Sequence, residues 1–104
     1  MSYKIYTTDE FDKCYTKLDP QLQREIAKEI NQLEENPYCG KPLGYKFFRE
    51  KKLKNYRFYY LIYDAYVVVF VITLSTKKNQ QKTIGKIKSF IPYYQQEIKK
   101  KLNL

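Results

Sequence analysis

Tyr45–Leu74 reads YKFFREKKLKNYRFYYLIYDAYVVVFVITL, and the rest of the chain is placed by reference to it. Three strands can be cut from it, roughly Tyr45–Glu50, Tyr56–Tyr63 and Tyr66–Leu74. Two turns separate them, Lys51–Asn55 and Asp64–Ala65. The residues between the turns are β-branched or aromatic almost throughout, types that suit a pleated, half-buried surface. The third run, Val67 to Ile72, is apolar at both parities, so both of its sides must be covered. The second run is different. Arg57 shares a face with Tyr59, Leu61 and Tyr63, while Tyr56, Phe58, Tyr60 and Ile62 take the other. An arginine inside an aromatic central strand needs a physical reason.

Working outward, 104 residues make one domain, 1–104, with a single core. The hydrophobic fraction of 43% places it among globular chains. Charge is distributed unevenly. Residues 1–35 carry five basic and eight acidic side chains, net −3, and residues 36–104 carry fifteen basic and three acidic, net +12. Clustered positive charge is the footprint of a polyanion binder; the plainer alternative is lysines decorating a solvated face. There is no histidine, which removes the commonest general base and the commonest zinc ligand. Two cysteines, Cys14 and Cys39, are too few for a metal site on their own, so neither metal nor cofactor is expected. Cys14 reads as a small core residue, and a Cys14–Cys39 disulfide has no support. The compartment reads as reducing. With no signal peptide and no apolar run near membrane length, the expectation is a soluble, cytoplasmic protein without a membrane partner.

Ser2–Tyr6 alternates as a short strand. Thr7-Thr8-Asp9-Glu10 supplies hydroxyl caps and then carboxylates, a helix start. Phe11, Cys14, Tyr15 and Leu18 share one helical face. Asp19-Pro20 closes that helix and opens another, striped by Leu22, Ile26, Ile30 and Leu33. The two predict an αα-hairpin. Asn36 to Gly44 holds two prolines and two glycines, which exclude helix and central strand. After Leu74, a C-terminal helix over about 78–102 follows from the stripe Ile84, Ile87, Ile91, with Pro92 as an interruption and Tyr94, Ile98 and Leu102 beyond it. The order is β-α-α-β-β-β-α. One sheet face takes the αα-hairpin; the other is a site or is covered by the C-terminal helix.

Arg49, Arg57 and the turn lysines Lys51, Lys52 and Lys54 belong to one hairpin, with Arg49 as far before the turn as Arg57 is after it. That symmetry puts the two arginines near one another across the strands. With Lys77 and Lys78 they make a basic floor for phosphates, with Lys46 as a further contact, and Tyr59, Tyr63 or Tyr56 as a surface for stacked bases. Crowded lysines depress the pKa of one of their number or of a nearby tyrosine, a way to move protons without histidine. The Arg57 guanidinium suits the charge of a phosphorane-like transition state. The other reading keeps Arg57 structural, lying across aromatic rings or paired with Glu50 or Asp64.

The order and spacing of several phrases resemble the RelE/ParE superfamily of type II toxin–antitoxin toxins. These are Phe11-Asp12-Lys13, Lys17-Leu18-Asp19-Pro20, Ile26 to Leu33 with Glu35-Asn36-Pro37-Tyr38, Gly40-Lys41-Pro42-Leu43, Phe48-Arg49 and Asn55-Tyr56-Arg57-Phe58-Tyr59-Tyr60. The resemblance covers roughly residues 3–75. It implies an α+β fold: a small twisted antiparallel sheet packed on an αα-hairpin, plus a C-terminal helix. RelE-type members are ribosome-dependent endoribonucleases that cut mRNA with basic residues and a tyrosine. By resemblance Arg57 matches the strand arginine at the scissile phosphate, and Lys51, Lys52 and Lys54 match the basic segment ahead of it. Arg49 and Lys77 complete the expected catalytic set; Lys46, Lys51, Tyr59 and Lys78 are the expected RNA contacts. The chain departs from the pattern after the last strand, where Ser75 to Gln81 contains no tyrosine and the next is Tyr93. The alternative is therefore a ParE-like gyrase inhibitor or an inactive RNA- or partner-binding member. Either way the resemblance implies an acidic antitoxin that folds on the basic face and covers Tyr93 and Tyr94. The C-terminal stripe either folds back on the sheet or makes a homodimer.

Overall fold

The computed structural model describes residues 2–104. The decisive stretch folds as a meander. Strand β2 (Lys41–Tyr45) pairs antiparallel with β3 (Phe48–Leu53), β3 with β4 (Tyr56–Tyr63), and β4 with β5 (Val68–Thr76). β1 (Lys4–Thr7) joins at the far edge, giving the order β1-β5-β4-β3-β2. β4 has the bounds read from the sequence. The first expected strand does not: Tyr45–Glu50 is cut by a turn at Lys46 and Phe47, and Tyr45 pairs with Phe48. The proline- and glycine-rich segment before it supplies an edge strand. There Pro42 needs no partner for its missing N–H, and Gly44 takes φ +90°. The sheet is also not wholly antiparallel, because β1 runs parallel to β5 with Ile5 opposite Val69. Alternation reports which face a side chain takes and carries no information on strand direction.

Helix α1 (Asp9–Thr16) starts at Thr8, whose hydroxyl accepts the N–H of Phe11 at 3.0 Å. Helix α2 (Pro20–Gln32) starts at Asp19, whose carboxylate accepts the N–H of Leu22 at 3.0 Å. These short polar side chains satisfy first-turn donors that have no partner within the helix. Phe11, Leu22, Ile26, Ile30 and Leu33 are buried against Phe58, Tyr60, Ile62, Val69 and Val71 on one sheet face. The opposite face is covered too, by two helices rather than one. α3 (Gln80–Ser89) and α4 (Ile91–Lys101) meet at Phe90, and Pro92 sits in the first turn of α4, where its lack of an N–H costs no bond. Ile84, Ile87, Tyr94 and Ile98 pack on Phe48, Tyr59, Leu61, Phe70 and Ile72. The C-terminal stripe thus folds back on its own sheet, and Tyr94, expected at the surface, is core. Full burial of one such isoleucine is worth roughly 1.5–3 kcal/mol. Cys14 and Cys39 are free thiols. Among the described residues, no helix is long and apolar enough to cross a membrane.

Candidate functional site

The turn between β3 and β4 decides which cations meet. A turn centred on Leu53 would set Arg49 opposite Arg57. The observed turn is Lys54-Asn55, with Lys54 in the left-handed region at φ 55°. Leu53 therefore pairs with Tyr56, Lys52 with Arg57, and Arg49 with Tyr60. The expected Arg49–Arg57 proximity is lost, and the two arginines point to opposite faces. β3 also runs further into the lysines than expected, so alternation sends Lys51 toward α2 and Lys52 to the α3 side.

Arg57 is only 6% exposed, opposite Lys52 on one neighbour and Ser75 on the other. Its Nη1 donates to the carbonyl oxygens of Tyr56 at 3.1 Å and Lys54 at 3.4 Å. Glu50, on the same face of β3, is 5% exposed. Among the described residues, no cation lies within ion-pair distance of its carboxylate, and neither Glu50 nor Asp64 pairs with Arg57. Instead, Gln80 at the start of α3 donates its Nε2 to both Glu50 oxygens, at 3.0 and 2.9 Å. These three side chains, with Lys41, Lys51, Lys52, Cys39 and Gly40, line an open cleft of about 470 Å³. The lining holds four cations and one carboxylate. Gly40 is the tight point of the wall: a Cβ there would collide with the Tyr60 hydroxyl and the Glu50 carbonyl. The Tyr60 hydroxyl is itself fixed, donating to the Pro37 carbonyl at 2.6 Å and accepting the Gly40 N–H at 3.1 Å.

The remaining expected site residues divide by position. Lys54, Lys77 and Lys78 stand at the cleft's end of the sheet. Lys54 pairs with Glu25 at 3.0 Å, and the Lys77 N–H donates to the Asn55 carbonyl at 3.0 Å. Lys51 lines the cleft while pairing with Glu29 of α2 at 3.2 Å. Arg49 lies outside it. Its Nε donates to the Lys46 carbonyl and its Nη1 to the Tyr38 and Gly40 carbonyls, each at 2.8 Å, and its guanidinium lies 5.0 Å from the Tyr38 ring. Those contacts fasten the loop before β2. Lys46 is in the β2–β3 turn at the other end of β3, about 20 Å from Lys52 at the usual rise per strand residue. Tyr59 is fully buried, so its ring offers no face for stacking; its hydroxyl lies 2.9 Å from the Ser75 Oγ.

The electrostatics also correct one expectation. Burial raises the Tyr59 pKa, only partly countered by the Ser75 hydrogen bond. Burial pulls the Lys51 pKa down, but Glu29 and the Cys39 sulfur more than offset it, so the net shift is upward. Neither group is pushed toward neutrality by its neighbours. Sequence reasoning missed Lys41 and Gln80, and it weighed Glu50 only as a structural partner of Arg57. The available signal for Glu50 was its parity with Phe48, the strand's core-facing residue.

A family model described as the ParE toxin of type II toxin–antitoxin system, parDE, matches residues 6–80. Among solved structures, a chain of the intact E. coli RelBE toxin–antitoxin complex is 26% identical with a TM-score of 0.66, covering 72% of this chain and 96% of that one. A mutant E. coli toxin RelE in the free state superposes with a TM-score of 0.71 at 24% identity, covering 83% and 93%. A chain of the archaeal RelE–RelB complex of Pyrococcus horikoshii OT3 gives 0.65 at 19% identity, covering 74% and 97%. The latter two are likenesses of fold. Comparison with curated proteins gives no match.

Proposed function

The chain belongs to the ParE toxin family of type II toxin–antitoxin systems, within the RelE/ParE superfamily, and from that premise we propose that it is a RelE-like endoribonuclease that cuts mRNA on the ribosome. The observation that carries this reading is the state of Arg57. A guanidinium kept almost wholly out of water, with no carboxylate of the described residues at ion-pair distance, is an unmet electrostatic demand. Among the described residues its hydrogen bonds use Nη1, to the Lys54 and Tyr56 carbonyls, and in this reading Nε and Nη2 serve the ligand. A phosphodiester is an anion whose two non-bridging oxygens match that fork.

In this reading the ribose 2′-oxygen forms a bond to the adjacent phosphorus while the bond from phosphorus to the 5′-oxygen breaks. The products are a 2′,3′-cyclic phosphate and a 5′-hydroxyl. Glu50 takes the 2′-hydroxyl proton, Arg57 stabilises the charge on the non-bridging oxygens, and Lys52 at the cleft mouth gives a proton to the leaving oxygen. Lys51, Lys54, Lys77 and Lys78 hold the flanking backbone phosphates, which position the strand without reading its sequence. An acidic antitoxin is the proposed partner: it neutralises the +12 portion of the chain, and relatives of this fold form toxin–antitoxin complexes.

One observation favours the second reading, an inhibitor of gyrase. No phenol or imidazole lines the cleft, and Tyr93 is on α4, 60% exposed. A translating extract separates the two. Wild type should produce mRNA ends within ribosome-bound codons by primer extension, and Arg57→Ala with Lys52→Ala should produce none. Intact mRNA with folded wild type would leave gyrase inhibition as the reading to pursue.

A further inference from the structure

The contact between Gln80 and Glu50 has a chemistry of its own. A buried carboxylate normally has a cation beside it, because an unpaired charge out of water is costly. Among the described residues, four cations line the same cleft as Glu50 and it pairs with none of them. Its carboxylate is held by one neutral nitrogen astride both oxygens. An amide at that place satisfies the acceptors and fixes the plane of the group without supplying a counter-charge. A lysine of similar length would pair with the carboxylate and supply the counter-charge that the amide withholds.

Gln80 is also in a position to fix something. It opens α3, and Ile84 and Ile87, one and two turns further on, are buried in the core on that face of the sheet. The turn before it, Lys77–Asn79, is tied to the β3–β4 turn through the Lys77 N–H and the Asn55 carbonyl. Packing of α3 thus fixes the backbone of Gln80, and its side chain passes that constraint across thirty residues of sequence to β3.

We propose that Gln80 is a positioning residue for Glu50, orienting the carboxylate toward the ribose hydroxyl without supplying a counter-charge. The proposal rests on the endoribonuclease reading above. It makes α3, which begins where the family match ends, a supporting part of the site.

The test uses full-length protein on translating ribosomes, with cleavage rate at saturation, apparent KM and thermal melting measured for wild type, Gln80→Ala and Gln80→Lys. Gln80→Ala should cut the saturated rate by about 10–100-fold, the usual loss when an orienting partner goes, with KM little changed. Gln80→Lys is the sharper variant. Its ammonium pairs with Glu50, so melting should hold or rise, while the rate falls at least as far as in Gln80→Ala. A Gln80→Lys enzyme cutting at the wild-type rate overturns the proposal, whatever happens to Gln80→Ala, because the contact would then be an anchor for α3. A fall of rate and melting temperature in step across both variants overturns it equally. Folded wild type that cuts nothing removes the endoribonuclease reading and this inference with it, whereas an active wild type with an indifferent Gln80→Lys removes the inference alone.

Discussion

The two faces of the sheet bury similar cores and treat charge in opposite ways. Under α1 and α2, β3 and the turn after it send lysines to carboxylates: Lys51 meets Glu29 at 3.2 Å and Lys54 meets Glu25 at 3.0 Å. Under α3, Arg57 and Glu50 are more deeply buried than either lysine, and among the described residues neither has an ion-pair partner. If burial alone set the need for a counter-ion, the pattern would be reversed. The closed face commits its carboxylates to structure. The other face places a guanidinium and a carboxylate in the lining of one open cleft, the cleft proposed to take the RNA backbone.

The contrast is most exposed to test at Glu50. Glu50→Gln should reduce cleavage by ~10²–10⁴-fold, the usual loss of a general base, while stability in urea stays level or rises, because an unpaired buried charge has gone. A variant that both cuts and unfolds more easily would show that Glu50 belongs with the structural carboxylates. A smaller effect comes from the closed face. Lys51→Met and Glu29→Gln should each cost at most about 1 kcal/mol, with a coupling in the double-mutant cycle of the same order. Cleavage should fall less than tenfold for Glu29→Gln, which touches only the structural side. The Lys51 pKa is raised on folding, so the pair's stabilisation is complete below the ordinary lysine value of 10.5 and is lost only as pH climbs beyond it.

The smallest effect lies at the far end of the sheet. Asp64 accepts hydrogen bonds from the hydroxyls of Tyr3, at 2.7 Å, and Tyr38, and these hold its carboxyl below the usual value of 3.8. A depressed carboxyl contributes stability above its unfolded pKa and loses it as pH falls through the folded one. Melting temperatures of wild type and Asp64→Asn should therefore differ slightly near neutrality and converge below about pH 3.8. A gap that persisted in acid would assign the latch to the tyrosines rather than to the charge.

Much of this is legible in the amino-acid sequence. The aromatic run Tyr56–Tyr63 gave β4 its bounds, and the parity of Arg57 with Tyr59 and Leu61 put it on the correct face. Thr8, Asp19 and Pro20 marked the helix starts because capping is local chemistry. What failed was long-range or depended on a single φ. The five residues Lys51 to Asn55 conceal a two-residue turn whose left-handed position is a lysine, without the glycine that would have flagged it. That shift moved Arg49 away from the site. The Gln80–Glu50 contact joins residues thirty apart and leaves no periodic trace, so only the folded chain reveals it.

The parallel pairing of β1 with β5 bears on how the protein is made. Lys4 emerges first and waits for Val68 before it has a partner, and both cores are built on β5. During synthesis the growing chain has no finished sheet until β5 has left the ribosome, and α3 follows later still. The machine that this toxin is proposed to attack therefore completes most of it before the cleft can close.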